Sequence, residues 1–325
     1  MGKPLVMESL SSPVEGQDKA DSDDDQDPSR PALSGLPALR AVRNFVKRHG
    51  LLRFLMTLVM IAAVLCALFA EFIAPHSPTD IGYDVLQAPS WDYLLGTDHL
   101  GRDVLSRVIF GARPALLTAG LAVAVGIVIG VSVGLIAGYG SRKLGSAIMR
   151  LVDVMLALPG LVMAMVVMVI MGSGLKSIVT AIALAQIPVF ARMVYGETLS
   201  VKRRAFIDSA RVLGFSDLRI VGVHILPNIA SQVAVLATAA LGWSILVAAT
   251  LNFLGFGISP PNASWGVDLQ YGRQWVYQAW WLSVMPGAAI ALVIMSSNLL
   301  GDVVADSAGR GSRIEGAKFK ADAVI

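Results

Sequence analysis

Long apolar stretches separated by short polar segments dominate the chain from about residue 51 onward. A helix needs roughly 20 apolar residues to cross a hydrocarbon core about 30 Å thick. The stretches do not alternate between apolar and polar residues, so they favour helices over the strands of a barrel. The candidate helices run over about 51–74, 115–139, 147–172, 175–195, 229–251 and 280–304. We therefore predict an all-α membrane protein with six transmembrane helices.

The second candidate helix carries a glycine at every fourth position, which places these glycines along one face. They are Gly126, Gly130, Gly134 and Gly138. In a membrane, such a face lets a second helix backbone approach closely. The spacing therefore predicts tight packing inside the bundle rather than a ligand site.

The composition agrees with a membrane protein that is not itself an enzyme. Charged residues make up 15% of the chain and the mean hydropathy is +0.67, whereas a soluble domain carries about 25% charged residues. The single cysteine, Cys66, excludes a disulfide within the chain. The four histidines have no metal-ligand spacing, and we find no catalytic grouping of side chains, so we predict neither a metal site nor catalysis.

The amino-terminal segment differs from the rest of the chain. Residues 1–30 contain eight acidic residues and few that could form a core, so this segment cannot bury enough apolar surface to order itself. We predict a disordered acidic cytoplasmic tail over 1–44. The six-helix domain then covers 45–310, and 311–325 form a cytoplasmic C-terminal tail.

The basic residues that flank the helices predict the orientation. With the amino terminus in the cytoplasm, eighteen of these Lys and Arg residues lie inside and five lie outside. Because positive charge accumulates on the cytoplasmic side of a membrane, both termini are predicted to be cytoplasmic. Long outer segments then cover about 75–114 and 252–279, and the largest inner segment covers about 196–228.

The large inner segment contains a short amphipathic pattern. Its apolar face is predicted to comprise Phe206, Ile207, Ala210 and Leu213. Asp208 and Arg211 carry charge outside this face, and Gly214 is expected to end the helix. Such a helix is suited to a groove on a partner protein, although an interfacial helix without a partner has the same pattern.

Both long outer segments contain candidate functional residues. In the first, Gly96 and Gly101 permit tight turns. The four charged residues that follow these turns could pair with one another or contact substrate, and they are Asp98, Arg102, Asp103 and Arg107. In the second, Trp265 and Trp275 could anchor the membrane interface or line a substrate mouth.

Two motifs resemble those of a known transporter family. Asp208-Ser209-Ala210, followed by three residues and Gly214, resembles the EAA–G coupling motif of bacterial ABC importer permeases, with Asp in place of Glu and Ser in place of Ala. The stretch Leu95–Arg107 resembles the LGTDxxGRDxxSR signature of the second permease subunit of dipeptide and oligopeptide importers, at every defined position. The resemblance covers about residues 45–310.

This resemblance implies an importer permease fold with a cytoplasmic coupling helix over about 205–214. The expected ATPase contact comprises Ala205, Phe206, Asp208, Ser209, Ala210, Arg211 and Gly214. The expected outer signature loop comprises Gly96, Thr97, Asp98, Gly101, Arg102, Asp103 and Arg107.

The resemblance also implies the partners and the place of the chain in the cell. We expect a second homologous permease subunit, cytoplasmic ATPase subunits, an extracytoplasmic substrate-binding protein and membrane lipid, but no nucleic acid. The chain has no phosphate-binding loop, so ATP and Mg are expected on the ATPase subunits and no cofactor in this chain. The protein would be a multi-pass protein of the cell membrane.

Other functions remain open at the level of the sequence. A permease of this type could carry di- or oligopeptides, or a non-peptide solute such as haem, a nickel complex or glutathione. A secondary transporter is a further alternative, but such proteins usually carry ionisable residues within their spans. Here Arg53, Glu71 and Asp153 lie near span ends, which disfavours that alternative.

Overall fold

The computed structural model describes residues 50–82, 84–258 and 260–322, with side chains up to residue 305. The tail predicted over residues 1–44 lies outside this part of the chain. The helices are α1 Leu51–Ile73, α2 Val104–Tyr139, α3 Arg142–Ala157, α4 Gly160–Met171, α5 Leu175–Lys202, α6 Ala205–Val212, α7 Leu226–Phe253, α8 Trp265–Gly272 and α9 Trp281–Asp322. A helical turn, Asp217–Arg219, and a π-helical stretch, Ile220–Ile225, lead into α7, and a 3₁₀ turn, Arg273–Trp275, follows α8.

Five of these helical segments are long and apolar enough to cross a membrane, namely α1, α2, α5, α7 with the helical residues before it, and α9. The pair α3 and α4 supplies a sixth candidate span, but the two helices are bent by 87°. The third span was predicted as one helix over 147–172, and the structure corrects this to two. Pro159 lacks an N–H for a continuing helix, and Leu158 before it is extended, with φ −88° and ψ 133°.

Two predicted helix boundaries also move. Helix α2 begins at Val104 instead of Ala115, because the Asp103 carboxylate accepts hydrogen bonds from the backbone N–H groups of Leu105 and Ser106. Charged residues interrupt the apolar run in this first part of α2, so the apolar pattern did not indicate that it is helical. Helix α9 continues to Asp322, beyond the predicted end near residue 304.

Helices α2 and α5 form the centre of the bundle, and glycines line their contact. A Cβ atom built on Gly130 would lie 2.6 Å from the Phe190 Cβ atom, and one on Gly134 would lie 2.7 Å from the Val194 Cβ atom. Gly126 and Gly138 are similarly close to α5. The predicted tight packing at this face is confirmed.

Helix α1 lies at the edge of the bundle against α2 and α9. Met60 and Ala70 are its buried residues, and most of its large side chains are exposed. Its surface is therefore left for lipid or another subunit, while the central helices connect the two ends of the molecule. One end carries α6 and the other carries the two long outer segments.

Candidate functional site

Helix α6 coincides with the predicted coupling helix, and Gly214 ends it as expected. Gly214 has a φ of +79°, its N–H donates to the Arg211 carbonyl at 2.9 Å, and the Phe215 N–H donates to the Ala210 carbonyl at 3.1 Å. This pair of bonds is the Schellman arrangement, which favours glycine at the left-handed position.

One face of α6 is buried, but it is not the face expected from the sequence. Ile207 and Ala210 are buried against the residues that lead into α7, whereas Phe206 is 40% exposed and Leu213 is 72% exposed. At 3.6 residues per turn, Phe206 and Leu213 lie on a neighbouring face of the helix. Ala210 was expected at a partner contact, and the structure instead directs its side chain into this chain's own interior.

The outward side of α6 remains available to a partner. Its exposed residues include most of the expected contact set, namely Ala205, Phe206, Asp208, Ser209, Arg211 and Gly214. Large apolar side chains extend this surface, with Val212 89% exposed and Leu218 88% exposed. Clustered exposed apolar side chains on an otherwise polar segment are typical of an interaction surface.

A polar cluster connects the α6 region to the spanning helices α2 and α5. The Tyr139 hydroxyl at the end of α2 hydrogen-bonds to the Asp217 carboxylate. The Lys202 ammonium at the end of α5 donates to the Tyr139 carbonyl at 2.5 Å and lies 4.8 Å from the centre of the Tyr139 ring. The Arg211 guanidinium of α6 lies 6.0 Å from the same ring.

No motif in the sequence indicated that Tyr139 would join this cluster. A tyrosine at the end of an apolar helix places its polar tip near the flanking basic residues, and this position is the signal that could have identified it. Its partner Asp217 is 78 residues away in sequence, so no local pattern indicates the contact.

At the other end, the first part of the outer signature loop is a compact turn. Asp98 accepts hydrogen bonds from the backbone N–H groups of Leu100 and Arg102 at 2.8 and 2.9 Å, and from the Arg102 Nε atom at 2.6 Å. Gly96 and Gly101 both have a φ of +75°, as the predicted tight turns require. Thr97 is fully buried, and its hydroxyl accepts from the Gln87 N–H at 2.9 Å.

The remaining charges of the loop have partners outside it, so the pairing of these four charges with one another is present only between Asp98 and Arg102. Asp103 caps α2 and lies 3.3 Å from the His76 Nδ1 atom. Arg107 donates to Asp268 Oδ1 from Nε at 2.9 Å and from Nη2 at 2.5 Å. Its Nη1 atom donates to the carbonyls of Pro78 and Pro261 at 2.9 and 3.3 Å.

Arg107 therefore joins the two long outer segments into one outer cap, formed by residues 76–82, 84–107 and 260–275. Asp268, in α8, is a member of this cap that the sequence analysis missed, because it lies 161 residues from Arg107. Both side chains are largely buried, with 4% and 13% of their surfaces exposed. The four predicted charges thus all have partners within the chain, which favours the structural interpretation of the signature loop.

Burial also affects titration in the cap. His99 stacks on Tyr271 and Trp275, with ring centres 5.2 and 6.4 Å apart. Loss of solvent around the ring lowers the pKa of His99, although the nearby Asp98 carboxylate opposes the shift. Burial likewise raises the pKa of Asp268, and the Arg107 guanidinium opposes that shift.

Comparison with known proteins identifies the family of the chain. A family model described as a binding-protein-dependent transport system inner membrane component matches residues 130–313. The di/tripeptide transport system permease protein DppC of Pseudomonas aeruginosa (strain UCBPP-PA14) is 39% identical over 272 residues, which cover 82% of this chain and 89% of that protein.

A second relative and a solved structure complete the comparison. The glutathione transport system permease protein GsiD of Escherichia coli O6:K15:H31 (strain 536 / UPEC) is 40% identical over 267 residues, covering 82% of this chain and 88% of that protein. The inward-facing MetNI methionine ABC transporter (CY5 native crystal form) has a chain with a similar fold, with a TM-score of 0.53 at 20% identity over 63% of this chain and 97% of its own. The chain therefore belongs to the family of inner-membrane permease components of binding-protein-dependent transport systems.

Proposed function

We propose that this chain forms half of the membrane pathway of an ATP-driven importer for di- and tripeptides or related peptides such as glutathione. The observation that carries the proposal is the similarity to a di/tripeptide permease and a glutathione permease over 82% of the chain. Glutathione is a modified tripeptide, so the names of both relatives indicate one chemical class. This shared class favours peptides over haem or nickel complexes.

The outward side of α6 is the proposed contact with the ATPase subunits, which would bind ATP and Mg. Support comes from its exposed apolar and charged side chains beside the Asp208–Gly214 motif. The excess of basic residues on the same side supports a cytoplasmic location for this surface and for both termini. Closure of the ATPase subunits would displace α6 and favour one of two arrangements of the bundle.

The outer cap is the proposed neighbour of an extracytoplasmic substrate-binding protein. The Arg107–Asp268 ion pair joins its two long segments and the Asp98–Arg102 pair orders one of them, which supports a defined surface for docking. A second, homologous permease subunit would complete the pathway, since one bundle supplies only one wall. In this arrangement the binding protein selects the peptide and this chain passes it through the membrane.

Part of the proposed pathway is a groove between α4, α5 and α7, with a volume of about 530 Å³. It is lined by the break between α3 and α4 and by Gln186 and Trp243, and its lining carries no charged side chain. An uncharged wall suits a carrier of peptides whose side chains differ. The Gln186 amide, held by the Ala240 carbonyl and the Ser244 hydroxyl at 3.2 Å each, is its most deeply buried polar group.

Uptake by cells that lack this chain tests the proposal. We expect deletion to abolish uptake of a labelled dipeptide, of glutathione or of both, and the intact gene to restore it. An excess of unlabelled peptide should compete, whereas an excess of haem or of a nickel chelate should not. Unchanged uptake of di- and tripeptides and of glutathione in the deletion strain would overturn the peptide assignment.

A further inference from the structure

Tyr139 occupies the point where α2, α5 and the coupling segment, defined here as residues 205–219, meet. Its side chain reaches the coupling segment through the hydroxyl–carboxylate bond to Asp217 and through the Arg211 guanidinium. Its backbone carbonyl and ring are held by Lys202 of α5. One residue therefore contacts both central spanning helices and the proposed ATPase contact.

The other contacts between the coupling segment and the bundle are mainly apolar. Ile207 and Ala210 pack in a cluster of aliphatic side chains, which includes Val194 and Val201 of α5. Apolar packing is not directional, so it does not by itself fix the orientation of the segment against the bundle. A hydrogen bond weakens steeply when its geometry is lost, so the Tyr139–Asp217 bond fixes the position of the segment against α2.

We infer that Tyr139 is a positioning residue that transmits displacement of the coupling segment to α2 and thereby couples ATP hydrolysis to transport. This inference rests on the proposed role of α6. Because α2 contacts α1, α5 and α7, displacement of its inner end reaches most of the bundle. The exposed position of the Tyr139–Asp217 pair makes it a poor source of stability, which separates a transmitting role from a merely structural one.

The chain offers variants that remove this bond and little else. Tyr139→Phe keeps the ring beside Lys202 and Arg211 but removes the hydroxyl. Asp217→Ala removes the acceptor, whereas Asp217→Asn keeps an oxygen that can accept the bond. Tyr195→Phe in α5 is the matched control, since the structure gives no hydrogen bond to that hydroxyl among the described residues.

The experiment uses the complete importer in proteoliposomes, with the binding protein and a labelled dipeptide. Peptide transport and ATP hydrolysis are measured in the same vesicles, and copurification of the ATPase subunits checks assembly. We expect Tyr139→Phe and Asp217→Ala to lower the peptide moved per ATP about three- to tenfold, and the double variant to lower it no further. Asp217→Asn should recover part of the ratio, and Tyr195→Phe should match the wild type.

Two results would overturn the inference while the proposed function stands. One is a wild-type ratio in Tyr139→Phe vesicles that transport peptide normally, and the other is an additive loss in the double variant. If wild-type vesicles move no peptide, the proposed substrate fails instead. In that case the stimulation of ATP hydrolysis by the binding protein still tests the inference, which requires the stimulation to fall in Tyr139→Phe and Asp217→Ala.

Discussion

Individual side chains in the outer cap have roles that follow from their geometry. Arg107 fits its place because a planar guanidinium can serve a carboxylate and two carbonyls at once. A lysine has the charge but not this fork of donors. Because one guanidinium makes all of these hydrogen bonds, the site is sensitive to loss of either Arg107 or Asp268.

We expect Arg107→Leu to destabilise the cap by about 3–5 kcal/mol, because it leaves the Asp268 carboxylate buried without a counter-charge. The measurement is limited proteolysis of the outer segments in membranes, where cleavage should become faster. Arg107→Leu combined with Asp268→Leu should recover much of the resistance. If the single and double variants were cleaved at equal rates, the pair would not hold the two segments together.

The environment of His99 predicts that the stability of the protein depends on pH. Its pKa in the folded chain is below the ordinary value of 6.5, so the unfolded state binds more protons and stability falls as pH drops below about 6.5. The thermal midpoint of the purified complex should therefore decrease between pH 7.5 and 5.5. His99→Gln should flatten part of this decrease, and an identical pH profile in the variant would exclude His99 as its source.

At the scale of the element, exposed and buried positions of α6 should respond differently to substitution, although the sequence alone places them on one apolar face. Leu213→Asp changes an exposed side chain and should reduce copurification of the ATPase subunits without reducing the amount of this chain in the membrane. Ala210→Glu places a carboxylate in the chain's own apolar cluster and should lower the amount of folded chain. Leu144→Asp, an exposed leucine of α3, is the control that should retain the ATPase subunits.

The break between α3 and α4 also carries a prediction. Helix ends leave backbone groups unpaired, and such groups are tolerated at membrane depth only in protein or beside water. In a Cys66→Ala background, Leu158→Cys should therefore react with a water-soluble maleimide in the assembled complex. Leu58→Cys, an exposed position of α1, should not react. Equal protection of both thiols would contradict a water-accessible groove.

The sequence predicted elements better than it predicted contacts. The apolar runs, the glycine spacing and Gly214 each act locally, so the spans, the α2 face and the end of α6 were visible in the chain itself. Pro159 was visible too, but whether a proline kinks a helix or divides it depends on packing. The Arg107–Asp268 and Tyr139–Asp217 contacts join distant residues, and no local pattern encodes such pairs.

At the scale of the whole molecule, the glycine face of α2 determines whether the bundle holds together. Gly130→Val would place a side chain where the Phe190 Cβ atom lies 2.6 Å away, so the two helices must separate. We expect a lower thermal midpoint and loss of transport. Gly120→Ala, also in α2 but with open space at its Cβ position, should behave as the wild type. A Gly130→Val complex that transports normally would show that close contact is unnecessary.

That glycine face has a mechanical consequence. On the α2 side of this contact only backbone is present, so the α5 side chains meet the α2 main chain directly, and Lys202 joins the two helices again at their ends near α6. We therefore expect α2 and α5 to move as one rigid body rather than as two independent helices. A displacement at Tyr139 would then reach the ends of both helices near the outer cap.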